Sequence, residues 1–230
     1  MTFEGTSGDL KIALGRIYLK IQQSVTRLGE QHNIEGLVYN PLVTYGYARA
    51  ARRSAPIVAE SIRARWPDVK TCIDCGCGLG HYVEALRSYG VAIIGVEYSQ
   101  RYRRRCARKG LDVSAWDLTR PSPIPGGPDR FDLALSIEVA EHVPATYAEA
   151  FVEYVGGASD RVLLTAAPPG QGGTGHVNEQ PKSYWIERFA TRNFLYAEEE
   201  TAWFAETWTR NGAMGYLGRN AMVFRRVATK

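Results

Sequence analysis

The sequence predicts an α/β protein, a mostly parallel sheet with helices on both faces behind a helical N-terminal extension. Three observations carry this. From Lys70 onward, short apolar runs alternate with helical patterns. The longest apolar runs, Val91–Val96 and Val162–Ala167, are strand-sized. The connections suit repeated strand–helix–strand units, whose crossovers are right-handed and set neighbouring strands parallel.

In chain order, the first predicted element is a helix over Leu10–Gly29, where Leu14, Ile17, Ile21, Val25 and Leu28 recur at steps of three and four. Asn40-Pro41 breaks the chain. A second helix covers Tyr47–Trp66 and stops at Trp66-Pro67-Asp68. Strands follow at Lys70–Asp74, Ala92–Glu97, Asp112–Ala115, Phe131–Ser136 and Arg161–Ala166. Helices fall at Gly80–Tyr89, Gln100–Lys109 and Ala145–Val155. Helices near Lys182–Ala190 and Glu198–Arg210 and a last strand near Asn220–Val227 complete the chain. Pro121–Pro128 is a loop by composition and joins two strands rather than two domains. Residues 1–230 are therefore expected to form one domain, 1–68 a helical extension and 69–230 the α/β core.

Composition narrows the class. The 230 residues are 45% hydrophobic and 23% charged, the balance of a globular chain with a core, not of a disordered one. No run approaches the roughly 20 apolar residues a membrane helix needs, so no membrane partner is expected. The start, Met1–Gly5, lacks the pattern of a secretory signal. Cys72, Cys75 and Cys77 crowd a strand end and a glycine turn with no fourth ligand at finger-like spacing. They read as reduced thiols in a cytoplasmic protein, not as a zinc site or disulfide framework. The net charge of +4 is too mild to announce a nucleic-acid binder. The arginines within 49–65 and 101–108 read as solvated helix faces or as an anion-binding surface.

The most informative stretch is Thr71-Cys72-Ile73-Asp74-Cys75-Gly76-Cys77-Gly78-Leu79-Gly80-His81. A strand ends in an acidic residue, runs through glycines at alternate positions and enters a helix. Such glycines let the backbone turn tightly and let a ligand approach the main chain beside the helix N-terminus. A dinucleotide fingerprint would need glycine where His81 stands, so that pattern fails. The pattern D-x-G-x-G-x-G instead resembles the first motif of class I S-adenosylmethionine-dependent methyltransferases. Glu97 at the second strand end and Asp117 after the third stand where that family holds ribose and adenine. The resemblance covers about Lys70–Ala166. It implies a Rossmann-like seven-stranded sheet with its last strand antiparallel, a helical N-terminal cap, and S-adenosylmethionine as cofactor. It implies cofactor contacts from Asp74, Gly76, Gly78, Gly80, Glu97, Tyr98, Trp116, Asp117 and Glu138, with Trp116 supplying a stacking face.

After the fourth strand comes Glu138-Val139-Ala140-Glu141-His142. This E-x-x-E-H segment resembles that of small-RNA 2′-O-methyltransferases and of ubiquinone-pathway O-methyltransferases; in the former a later histidine completes a metal site. His176 stands in about that place. Glu138, Glu141, His142 and His176 are thus candidate ligands for Mg²⁺ or Mn²⁺, because two carboxylates suit hard ions. Without a metal, His142 or His176 is the candidate general base, an imidazole suited to removing a hydroxyl proton. The long glycine-rich segment Gly170–Gln180 is expected to close over an acceptor. The expected function is methyl transfer to a hydroxyl of a small molecule, a sugar, phenol or secondary metabolite. A metal-assisted RNA ribose 2′-O-methyltransferase is the alternative. Tyr18, Tyr39, Tyr45 and Tyr47 are candidates to line the acceptor pocket or simply to pack the cap.

Overall fold

A computed structural model of the chain describes residues 41–118 and 130–227. The predicted helix at Leu10–Gly29, Tyr18, Tyr39 and the loop Pro121–Pro128 lie outside the described residues. The chain divides into two compact units, Met1–Tyr47 with Gly173–Gly175, and Ala48–Gly172 with His176–Lys230. Within the first unit the Tyr47 hydroxyl donates to the Thr174 carbonyl at 2.5 Å.

The described residues open with helix α1 (Pro41–Arg65), and proline suits that first turn because its missing N–H has no partner there. Strand β1 (Thr71–Cys75), helix α2 (His81–Ser88), strand β2 (Ala92–Glu97), helix α3 (Gln100–Arg108) and strand β3 (Val113–Ala115) follow. Then come β4 (Leu133–Ile137), α4 (Ala148–Ala158), β5 (Arg161–Thr165) and α5 (Lys182–Ala190). Strand β6 (Phe194–Tyr196), α6 (Glu198–Arg210), α7 (Gly215–Asn220) and β7 (Ala221–Arg226) complete the order. One seven-stranded sheet results, in the order β3-β2-β1-β4-β5-β7-β6. Strands β1 to β5 pair in parallel, and β7 runs antiparallel to β5 and β6. The Rossmann-like class, the parallel core and the antiparallel last strand are as the sequence predicts.

The alternation of side chains along each strand builds two cores. Cys72, Leu133, Leu163 and Val223 share one face, roofed by Val58, Ile62, Leu86, Phe204 and Trp208. Ile73, Ala134, Leu164 and Phe224 share the other, under Phe151, Val155, Trp185 and Phe189. Strands between two roofs are buried throughout, which is why β4 has no exposed residue. Glu200 on α6 fastens the far edge: it accepts from Arg225 at 2.6 and 2.8 Å and from Trp66 Nε1 at 2.7 Å. Arg225 and Trp66 together hold its carboxyl below the usual range despite burial.

Four elements depart from the sequence expectation, the first being helix α1, which starts at Pro41 rather than Tyr47 because proline there opens the helix. Strand β6 is only three residues long, too short to show a period. Helix α7 carries Gly215 and Gly218, poor helix formers that hide it. Tertiary packing explains Gly218: a Cβ there would stand 2.8 Å from the Ala205 carbonyl of α6. Helix α4 also begins later than expected, because a 3₁₀ turn occupies Ala145–Tyr147.

Candidate active site

The strand order reverses at β1, which lies between β2 and β4, and the carboxyl ends of these strands converge there. That is the crevice where open α/β sheets bind ligands. Asp74 is 1% exposed, and its Oδ2 has no hydrogen-bond partner among the described residues. Burial, reinforced by the nearby Glu97, pushes its carboxyl up to about 8. A buried acid without a partner is costly unless a ligand completes it.

The three glycines of the turn serve different ends. All have positive φ: +82° at Gly76, +54° at Gly78 and +75° at Gly80. A Cβ on Gly76 would meet Val139 at 2.6 Å, and one on Gly80 would meet Leu111 at 2.5 Å. Those two glycines are demanded by the protein's own packing. A Cβ on Gly78 would meet nothing within 4 Å. Gly78 therefore borders open space, where a ligand can lie against the main chain. Gly80, the N-cap of α2, contributes no side-chain cap, so the helix end keeps amides for a ligand.

Glu97 is 6% exposed and turned onto this turn. Its Oε2 accepts from Gly78 N at 2.9 Å and its Oε1 from Ser99 N at 2.8 Å. The expected ribose carboxylate thus also braces the glycine turn. Tyr98 beside it is 54% exposed and presents an open face. Asp117 is half-buried. Trp116, the expected stacking face, is 5% exposed and packs in the second core, with Tyr154 at 4.8 Å and Phe151 at 6.2 Å between ring centroids.

Beneath the turn, sequence reasoning missed a cysteine contact. The Cys77 and Cys106 thiols are hydrogen-bonded, and Cys106 also donates to the Gly78 carbonyl at 3.5 Å. All four cysteines are free and buried.

The chemistry end follows β4. Glu138 sits at φ +54°, a left-handed backbone that a non-glycine residue holds only under constraint. Its N–H donates to Thr165 Oγ1 at 2.8 Å. A 3₁₀ turn, Ala140–His142, then carries Glu141 and His142. Glu141 is fully buried, and its carboxyl meets that of Glu138. Burial first, then the neighbouring Glu138, pushes it up to about 9. The glycine-rich segment returns to this turn, with Val177 N and Asn178 N donating to the Glu141 carbonyl at 2.9 and 3.0 Å. His176 is thereby set edge-on against His142, ring centroids 4.9 Å apart.

Glu179 was not anticipated and organises this segment. It accepts from His176 Nδ1 at 2.7 Å, from Gly172 N at 2.7 Å and from Gly170 N at 2.9 Å. His176 Nε2 is left pointing toward Glu141, 3.9 Å away. Sequence spacing held one clue, since His176 and Glu179 are three apart.

Of the four candidate metal ligands, the structure gathers three: donor atoms of Glu141, His142 and His176 lie within 4.8 Å of one another. Glu138 is not in that group, although its carboxyl meets that of Glu141. Its carboxylate is claimed by Asn220 Nδ2 at 2.9 and 3.1 Å and by Gln171 Nε2 at 3.3 Å. Tyr216 on α7 lies near both acids, and burial together with Glu138 and Glu141 raises its hydroxyl to about 12.

A parallel sheet reversing at β1, with an open glycine turn and acids at two strand ends, defines a Rossmann-like fold of the methyltransferase type. Residues 47–153 match the family model of a methyltransferase domain. Over these residues the chain is similar to methyltransferase domains, and its fold is that of the class I S-adenosylmethionine-dependent methyltransferases. It is 27% identical over 135 residues to the ubiquinone biosynthesis O-methyltransferase of Stutzerimonas stutzeri (strain A1501), covering 54% of this chain and 53% of that one. The match thus spans about half the length of that relative. The magnesium protoporphyrin IX methyltransferase of Synechocystis PCC 6803, solved with S-adenosylmethionine bound, superposes with a TM-score of 0.58 at 15% identity, covering 90% of this chain and 97% of that one. A sugar N-methyltransferase of Streptoalloteichus sp ATCC 53650 gives a TM-score of 0.59 at 15% identity, over 81% and 92% of the two chains. At such identities these structures share the fold. Among the described residues no helix is long and apolar enough to cross a membrane.

Proposed function

We propose that this protein transfers the methyl group of S-adenosylmethionine to a hydroxyl of a small molecule, of the sugar, phenol or secondary-metabolite kind. The observation that carries the reading is the open space over Gly78 together with the buried Asp74 carboxyl, whose Oδ2 has no partner among the described residues. A cofactor with an ammonium end and a ribose matches Asp74 and Glu97 in charge and in hydrogen-bonding sense. The match to a relative named as an O-methyltransferase supports oxygen as the target.

S-adenosylmethionine, when bound, supplies a methyl group already activated on a sulfonium. The remaining task of the chain is alignment and proton removal. His176 is the base in this reading: Glu179 fixes Nδ1 as the donor, leaving Nε2 to take the acceptor's proton. Glu141 and His142 wall that side of the crevice and hold water out.

The same three side chains fit a divalent ion, since Glu141 keeps two buried oxygens beside two imidazoles. Glu141, His142 and His176 would hold it, and it would polarise an acceptor oxygen. One carboxylate with two imidazoles suits Mn²⁺ or a later transition ion better than Mg²⁺. The deciding experiment is calorimetric binding of S-adenosylmethionine, followed by S-adenosylhomocysteine release across matched hydroxyl and amine acceptors, each with and without EDTA. No cofactor binding would end the methyltransferase reading, and turnover confined to amines would end the oxygen assignment.

A further inference from the structure

Three side chains from distant parts of the chain close a hydrogen-bonded triangle at the edge of the crevice. Glu138 directly follows β4, Asn220 ends α7, and Gln171 lies in the segment after β5. Asn220 Nδ2 donates to Glu138 and, at 3.0 Å, to Gln171 Oε1. Gln171 Nε2 donates in turn to Glu138 Oε2 at 3.3 Å, the longest contact of the three.

The members differ in how firmly they are held. Asn220 is fully buried, and its Oδ1 has no partner among the described residues. Glu138 is fixed by its backbone bond to Thr165 and by Asn220, and it keeps a strained φ of +54°. Gln171 is half-buried between Gly170 and Gly172, at φ +83° and +71°, where a Cβ would meet nothing within 4 Å. Two rigid groups therefore present an acceptor and a donor side by side, and a third, from a segment whose Gly170 and Gly172 amides are held by Glu179, fills them.

We propose that Glu138 and Asn220 form a recognition subsite for the methyl acceptor, and that the Gln171 carboxamide is the chain's own stand-in for it. The ligand class is an uncharged group with a hydrogen-bond donor and an acceptor side by side, as in a primary carboxamide or a pair of adjacent hydroxyls. The donor replaces Gln171 Nε2 on Glu138, and the acceptor replaces Gln171 Oε1 on Asn220. An anionic group is rejected, because it would face the Glu138 carboxylate and the bare Asn220 oxygen. The subsite's place in catalysis rests on the methyltransferase reading, but occupancy of the subsite does not.

The sign of one substitution separates this role from mere bracing. Removing a brace loosens Glu138 and weakens any ligand there; removing a stand-in vacates the subsite and tightens it. Benzamide and cis-cyclohexane-1,2-diol serve as the two probes and benzoate as the charged control. Each is titrated by ligand-observed NMR against the full chain, with and without S-adenosylhomocysteine. Gln171→Ala and Gln171→Glu should each bind at least one neutral probe roughly 5- to 10-fold more tightly than wild type, the scale of one or two released hydrogen bonds. Benzoate should gain nothing, and adding Glu138→Ala to Gln171→Ala should abolish the gain. Benzamide gaining alone identifies a carboxamide, the diol alone an adjacent hydroxyl pair. Unchanged or weaker probe binding in both Gln171 variants overturns the proposal, as does a gain that survives loss of Glu138. Gln171 is half-exposed, so its variants keep the fold, which the melting curve checks. Failure of the wild type to bind S-adenosylmethionine would strike the methyltransferase reading alone.

Discussion

Gly78 and Glu97 are joined across the mouth of the crevice, the Gly78 amide donating to Glu97 Oε2 at 2.9 Å. In the proposed reading the carboxylate that would take the ribose also holds the turn that would lie against the rest of the cofactor. Glu97→Ala should therefore weaken S-adenosylmethionine binding beyond one lost contact, each charge-assisted bond being worth about 1.5–3 kcal/mol. Hydrogen exchange at the Gly78 amide should quicken in the unliganded variant, and calorimetry gives the affinity. An unchanged Kd would remove Glu97 from the cofactor site.

The glycines of the turn should separate in mutagenesis. A Cβ at Gly78 meets no protein atom, so Gly78→Val should fold, at a cost of about 1–2 kcal/mol for its positive φ, and yet bind no cofactor. Gly76→Val and Gly80→Val run into Val139 and Leu111 and should lose more stability. Thermal melts beside calorimetry test this. A folded Gly78→Val protein with normal affinity would contradict the placement of the ligand.

Asp74 makes stability and binding depend on pH in opposite senses. Its carboxyl rises from 3.8 to about 8 on folding, so between those values the native state holds a proton that the unfolded chain has released. Its contribution to unfolding free energy therefore falls as pH rises from about 4 to 8 and levels off above. Binding of the cofactor's ammonium favours the ionised acid and should release up to about one proton near neutrality. Calorimetry in buffers of different ionisation enthalpy measures that release, and Asp74→Asn should eliminate it while flattening the stability slope. Proton uptake on binding would be the contrary result.

Glu179 orients His176 rather than touching an acceptor. Glu179→Ala frees Nδ1 and untethers Gly170 and Gly172, and should lower turnover by roughly 10- to 100-fold, the usual effect of losing a histidine's orienting partner. Cofactor affinity should hold, since Glu179 lies away from the glycine turn. Glu179→Gln, whose amide oxygen still accepts from Nδ1, should recover part of the loss. Equal turnover in wild type and Glu179→Ala would exclude His176 as the base.

Any metal dependence would rest on Glu141, His142 and His176, whose donor atoms lie together. Exhaustive EDTA treatment should leave turnover intact if His176 is the base, and abolish it if Glu141, His142 and His176 hold an ion. In the second case Mn²⁺ should restore activity better than Mg²⁺, and Glu138→Gln should alter metal affinity less than Glu141→Gln. Inductively coupled plasma analysis of the purified protein measures any ion retained.

Local order in the chain determined most of the architecture and the cofactor end. Parallel strands buried on both sides, glycines at alternate positions and acids at strand ends are written in consecutive residues, because sterics and hydrogen bonding act there over a few positions. Strand β2 and helices α5 and α6 fall where periodicity places them. Tertiary structure alone decided which side chains meet. Asn220 reaches Glu138 across 82 positions of sequence, taking it from the ligand group its spacing implied. Trp116 packs into the core against Tyr154 and Phe151, neighbours supplied by a helix more than thirty residues on. Gly78 and Gly76 look alike as letters, yet one borders open space and the other Val139. Such distinctions depend on what packs against a residue from elsewhere in the chain, and no local pattern records that.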